Sequence, residues 1–232
     1  MKKNMRIIID FIMFILFIIL MGYHITGNMT HEVIGVITFT FFLLHHIVNM
    51  KWYKTIWKGK YSFYRTFQII INTLLFITMI GIIVSSIMIS SHVFSFLHFK
   101  TTMFGRNLHM FSTSWGFLLM AIHLGLHLNV MLTKMNKKMK SSTFEYVYYF
   151  VMILFIMFGL YTFIKTELWN DLFLLQQFKF FDYDQNPYLF YLGQFAIACM
   201  VSFLTYFLFF VIRNTFIDKQ NIKGNRGSDK FE

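Results

Sequence analysis

Two pairs of histidines carry the most chemical information in this chain. His31 and His45, and again His109 and His123, lie fourteen residues apart within apolar stretches. Fourteen residues of α-helix make almost four turns, so each pair shares one helix face with about 21 Å between its members. Two such helices side by side present two stacked pairs of imidazoles, one near each end. Imidazole is a good iron ligand, and two facing imidazoles are what a low-spin haem takes above and below its plane. The spacing points to two bis-histidine haem b sites, His31 with His109 and His45 with His123. These four are the candidate metal ligands.

The residues between them follow the same periodicity. His31, Gly35, Thr38, Phe42, His45 and Asn49 form one stripe at three- and four-residue steps. His109, Thr113, Gly116, Met120, His123 and His127 form the other. Gly35 and Gly116 are candidate cofactor-binding positions, because a missing side chain admits a flat macrocycle between helices. The competing role for a membrane glycine is close helix packing. His46 points about 100° away from His45, whereas His127 shares the face of His123. Either leaves open an alternative ligand at that level; the repeat partner of His127 is Asn49, which places His127 as a propionate or supporting partner. Arg106 and Lys100 fall near the outer haem level, and Lys51, Arg65 and Lys134 near the inner one. Each is a candidate for charge-assisted bonds to propionates. His24, His92 and His98 gather near the outer face, as interfacial histidines or as contacts to a propionate, a quinone or a proton path. Asp10 reads as an interfacial carboxylate near Lys3 or Arg6, with proton transfer at a quinone site as the alternative.

The elements that must position these residues are membrane spans. The chain is 57% apolar and 21% aromatic with 13% charged residues, about half the charge of a soluble domain. The apolar residues cluster in blocks of about 20, the length of a bilayer crossing. Six spans are predicted: Ile7–Ile25, Glu32–Met50, Phe67–Ser90, Leu108–Leu132, Tyr146–Ile164 and Tyr188–Ile212. With the N-terminus inside, 17 of the 21 Lys and Arg residues fall on the cytoplasmic side. Only Lys100, Arg106, Lys165 and Lys179 fall outside, so the positive-inside rule gives an N-in, C-in topology. The net charge of +11 is then topogenic and argues against a nucleic-acid partner. The N-terminal run is too long for a signal peptide and lacks a small-residue cleavage site, which makes it an uncleaved span. Cys199 is the one cysteine, so the chain holds no internal disulfide or multi-cysteine cluster. The 17 methionines read as core filler, and phosphate-loop, dinucleotide and His-Glu-x-x-His signatures are absent.

An internal repeat organises the first half. A shift of 78 residues lays His31 on His109, His45 on His123 and Asn49 on His127. The repeat unit is a two-helix hairpin, at about residues 5–57 and 67–132. Together the two make a four-helix haem-binding core over residues 5–132, in an all-α integral membrane protein. Residues 145–214 add a hairpin without histidines, connected by an outer loop at 165–187. That loop carries Glu167, Asp171, Asp182 and Asp184, and its Glu-Leu-Trp-Asn-Asp-Leu start suits an amphipathic helix at the interface. The polar tail at 218–232 is expected to be disordered.

The segments His31-Glu-Val-Ile-Gly, Leu44-His-His-Ile-Val-Asn-Met-Lys-Trp-Tyr53, Arg106-Asn-Leu-His109, Ser114-Trp-Gly and Ile122-His-Leu-Gly-Leu-His127 resemble the flavinylation-associated cytochrome family. This is a bacterial membrane domain formerly of unknown function. The family closes its second helix with His-x-x-x-His-Trp-x-Trp. His45 and Trp52 match that pattern, while Asn49 stands in place of its second histidine. His123 and His127 are kept on the fourth helix, with Leu128 where tryptophan is usual. The likeness covers about residues 5–132, and the paired spacing is also similar to the dihaem cytochrome b of quinol–cytochrome c oxidoreductases. It implies a haem cytochrome of the bacterial cytoplasmic membrane. Such a protein passes electrons from a cytoplasmic-side donor or quinone to an extracytoplasmic flavinylated protein bearing FMN. It would be an electron-transfer subunit more than a stand-alone enzyme. The other class of reading is a non-haem polytopic protein, in which the same histidines serve metal-ion transport or join helices.

Overall fold

In lipid, a chain with no strand partner must satisfy its backbone within helices, and long isoleucine- and phenylalanine-rich runs do so here. The computed structural model describes residues 3–59, 61–138, 142–176 and 184–228. Its helices are α1 (Lys3–Leu20), α2 (Tyr23–Thr26), α3 (Asn28–Val48), α4 (Met50–Ile56), α5 (Phe63–Ile89), α6 (Met103–Lys138), α7 (Ser142–Lys165), α8 (Leu168–Leu172) and α9 (Pro187–Ser228), with a short 3-10 turn at Ser95–Leu97. Among the described residues there are no strands. The protein is all-α, and four helices are long and apolar enough to cross a membrane: α3, α5, the Met103–Leu128 part of α6 and the Pro187–Ile212 part of α9. The first and fifth expected spans correspond to α1 and α7. α1 contains Lys3, Arg6 and Asp10 in 18 residues, and the apolar stretch of α7, Tyr149–Lys165, is shorter.

The first expected span ran unbroken to Ile25. Instead α1 stops at Leu20, and the chain reverses through α2 and Gly27 before α3 begins. Gly27 takes φ 72°, a left-handed conformation that suits glycine, and its carbonyl accepts from the His31 amide at 3.0 Å. The start of α5 is set by Ser62, whose hydroxyl accepts from the Arg65 amide. The tail expected to be disordered after Asp218 continues α9 as far as Ser228.

Packing follows two hairpins. α1 lies against α3 and α5 against α6, while α3 forms no comparably close pairing with α5 or α6. α6 is the central helix: Phe117 and Ala121 are fully buried in a core that also takes Phe17, Phe42, Met79 and Ile197. The C-terminal hairpin, α7 with α9, docks on α6 through small residues. Ser202 donates to the Ala121 carbonyl at 2.8 Å, and Gly125 lies so close to Ser202 that a Cβ would stand 2.5 Å from its carbonyl oxygen. Outward-facing Phe11, Ile37, Ile47, Ile77, Met157 and Phe207 are exposed. Such a girdle of exposed apolar side chains suits lipid and not water.

Candidate functional site

α3 and α6 run in the same direction, each carrying one histidine near its start and another nearly four turns further on. The outer-end pair is brought together: the His31 and His109 rings have centroids 6.2 Å apart at an interplanar angle of 73°. Two imidazoles on one metal, at about 2 Å per metal–nitrogen bond, have centroids about 6 Å apart. The helices bearing these rings are not a closely packed pair, and the rings meet where the two hairpins face one another.

The hydrogen bonding fixes which nitrogen is available. Ser85, on α5, uses its hydroxyl proton on the Gly81 and Ile82 carbonyls, at 2.7 and 3.0 Å. It can therefore only accept from His109 Nδ1, 3.1 Å away, with Ser86 Oγ at 3.4 Å. Nδ1 carries the proton, and the Nε2 lone pair is left for a ligand. Buried His31 Nδ1 has no hydrogen-bond partner among the described residues.

At the other end, His45 Nδ1 donates to Asp10 Oδ1 at 2.6 Å, and His123 Nδ1 donates to Asn72 Oδ1 at 2.7 Å. Both again keep Nε2 free. In each hairpin the supporting group thus comes from the antiparallel first helix, Asp10 from α1 and Asn72 from α5. His45 and Asp10 lie within electrostatic range of both His123 and His127. The His127 ring is exposed and sits 4.8 Å from that of His123. His46 turns away from the stripe: its ring packs against Phe42 and Phe76, and its Nδ1 meets the Tyr53 hydroxyl.

The two glycines differ. A Cβ on Gly35 would meet nothing within 4 Å, a cradle open to a flat ring. Gly116 instead faces Ile82, Thr78 and Phe17 at 3.2 to 3.6 Å, so close packing of α6 on α5 and α1 accounts for it. Of the cations considered for propionates, Arg106, Lys100 and Lys51 are exposed. Arg65 is engaged: its guanidinium donates to the Thr55, Ile56 and Lys58 carbonyls and ties α4 to α5. The side chain of Lys134 lies outside the described ones. Among the outer histidines, His98 is exposed with φ 52°, and His92 lies beside Ser91 and Asn28.

Three residues escaped the sequence reading. Asp10 was expected near Lys3 or Arg6 and is bonded to His45 instead. Asn72 carried no expectation, since an uncharged side chain in an apolar run gives no signal by itself. Glu32 was placed only as a span boundary, yet its carboxylate binds the chain after α5. No group of three or more His, Cys, Asp or Glu side chains arranged to hold a metal ion occurs among the described residues. Histidine rings meet as His31 with His109, His45 with His46 and His123 with His127, so the outer pair is brought together across the helices and His45 with His123 is not in ring contact.

These features define an all-helical protein with four helices long and apolar enough to cross a membrane and one close pair of partly buried imidazoles, His31 with His109. No family model, curated protein or solved structure matches the chain.

Proposed function

We propose that the chain is a six-span, N-in and C-in b-type cytochrome of the bacterial cytoplasmic membrane. It holds two bis-histidine haems and moves electrons toward an extracytoplasmic flavoprotein. One observation carries the reading. His31 and His109, on helices of different hairpins, meet with centroids 6.2 Å apart, and His109 keeps the Nε2 lone pair for a ligand because Nδ1 is committed to Ser85.

Bound between these rings, haem iron would supply one-electron chemistry through its ferric and ferrous states. His31 on α3 and His109 on α6 would hold the outer group. His45 and His123 would hold the inner one, each with its Nδ1 proton already given to Asp10 or Asn72. Such partners fix the tautomer and ring orientation and raise ligand basicity. The open face at Gly35 leaves room beside α3 for a macrocycle. The direction of transfer, the FMN-bearing partner and a possible quinone donor rest on the family resemblance.

Purification in detergent tests the proposal. The reduced protein should show a Soret band and a sharp α-band, and pyridine haemochrome assay should give two haems b per chain. One haem per chain would overturn the dihaem arrangement. A colourless protein would overturn the cytochrome reading in favour of a non-haem membrane protein.

A further inference from the structure

Glu32 is the residue next to the outer ligand His31, and its carboxylate does not contact that ring's partner. It reaches across to the other hairpin. Oε2 accepts from Ser90 Oγ at 2.6 Å and from the amides of Val93 at 2.8 Å and His92 at 3.1 Å. Oε1 accepts from the Ser91 amide at 2.9 Å, with Ser91 Oγ at 3.5 Å and His92 Nδ1 at 3.6 Å. Successive backbone amides turned inward make an anion-binding concavity, and here the anion comes from α3. Asn28, one turn earlier, adds its amide to Ser91 and His92.

This nest lies immediately after the last residue of α5. The same helix end carries Ser85 and Ser86, which hold His109. Both rings of the outer pair are therefore referenced to one short segment of α5: His31 through its neighbour Glu32, and His109 through Ser85. Apart from this nest, α3 meets α5 through Phe42 and His46 against Phe76, toward the other end of the helix. Charge-assisted hydrogen bonds to a carboxylate are roughly twice as strong as neutral ones, and with a side chain only 12% exposed this set is little screened. We propose that Glu32 is the positioning residue of the outer histidine pair, spacing His31 from His109 by clamping the first turn of α3 into the turn at residues 90–93.

The inference rests on the reading that these two histidines share one haem, and two readouts separate the two ideas. The first needs no haem. Spin labels on Met29→Cys and Phe104→Cys, both exposed sites in the first turns of α3 and α6, are placed in a Cys199→Ser full chain. Pulsed dipolar distances should be narrow in that parent and broadened or displaced by Glu32→Ala. The second is the low-spin EPR signal that His109→Ala abolishes, whose anisotropy follows the angle between the axial imidazole planes. It should shift or broaden in Glu32→Ala and move less in Glu32→Gln, which keeps one acceptor oxygen. The other haem signal should stay in place. Broadened distances in a chain that binds no haem would support the clamp and overturn the cytochrome reading. Unchanged distances and an unchanged signal would overturn the clamp. So would loss of both haem signals in both variants, since that would make Glu32 a general requirement for folding.

Discussion

Asp10 Oδ1 and His45 Nδ1 are 2.6 Å apart, joining the second turn of α1 to the last turn of α3. A carboxylate behind a ligand imidazole makes the ring a stronger donor and favours the more oxidised metal. Removing such a partner costs about 10–100-fold in metal affinity. Asp10→Ala should therefore lower occupancy of the inner site, so that haem per chain falls from two toward one when haem is limiting. Asp10→Asn keeps an acceptor oxygen but loses the charge. It should retain both haems and raise the midpoint potential of the inner one alone. Redox titration followed at the α-band checks this, and an unmoved potential would show that the contact does not act on the ligand.

The two proposed ligand pairs share helices but no residues, so their losses should separate. His109→Ala should remove the outer haem and leave the inner, and His123→Ala should do the reverse. His127→Ala should keep two haems, because the Nδ1 anchors run to His45 and His123. If His127→Ala removes a haem that His123→Ala leaves in place, the inner ligand sits one turn further along α6.

The docking of the C-terminal hairpin depends on a close approach at Gly125. A side chain there would meet the Ser202 carbonyl oxygen at 2.5 Å and its Cα at 3.0 Å, both backbone atoms that cannot rotate away. Overpacking of this kind costs about 1–3 kcal/mol. Gly125→Leu should lower the thermal unfolding midpoint in detergent. It should leave the haem spectrum in place, since Gly125 lies about 200° around α6 from His123. Loss of haem without loss of stability would mean that α9 supports the inner site directly.

The histidine stripes were legible because helical periodicity fixes faces without knowledge of the partner. The first helices of the hairpins were not. The 78-residue shift aligns α3 with α6, but His45 finds Asp10 at a separation of 35 residues and His123 finds Asn72 at 51. The difference comes from the connections: residues 21–27 close the first hairpin, and the longer 90–102 closes the second. Register across an antiparallel pair is set by such turns, and a repeat in the second helix says little about it. Glu32 was hidden for a related reason, because its partners are backbone amides of a distant turn, which no side-chain pattern announces. Gly35 and Gly116 both lie on the histidine stripes, about one and two turns past His31 and His109, yet only the neighbours on α1 and α5 show that one is filled and the other open.

The 165–187 loop carries four carboxylates, and the structure sorts them. Asp171 is 4% exposed on α8, which lies against α6 where Trp115 Nε1 donates to the Leu172 carbonyl at 2.9 Å. It is therefore part of the packing and not of a docking surface. Asp182 lies outside the described residues. Glu167 is exposed with one oxygen held by Asn170 and Gln176, and Asp184 is exposed. Surface charge of this kind raises encounter rates more than affinity, and it is screened over about 10 Å at 0.1 M salt. Glu167→Gln combined with Asp184→Asn should slow electron transfer to an outer flavoprotein at low salt, with the difference fading as salt rises. Asp171→Asn should instead lower the thermal unfolding midpoint and leave the salt dependence alone. Stopped-flow oxidation of the prereduced protein at two ionic strengths separates these effects. A double variant that matches the parent at both would reduce this loop to a connector between α7 and α9.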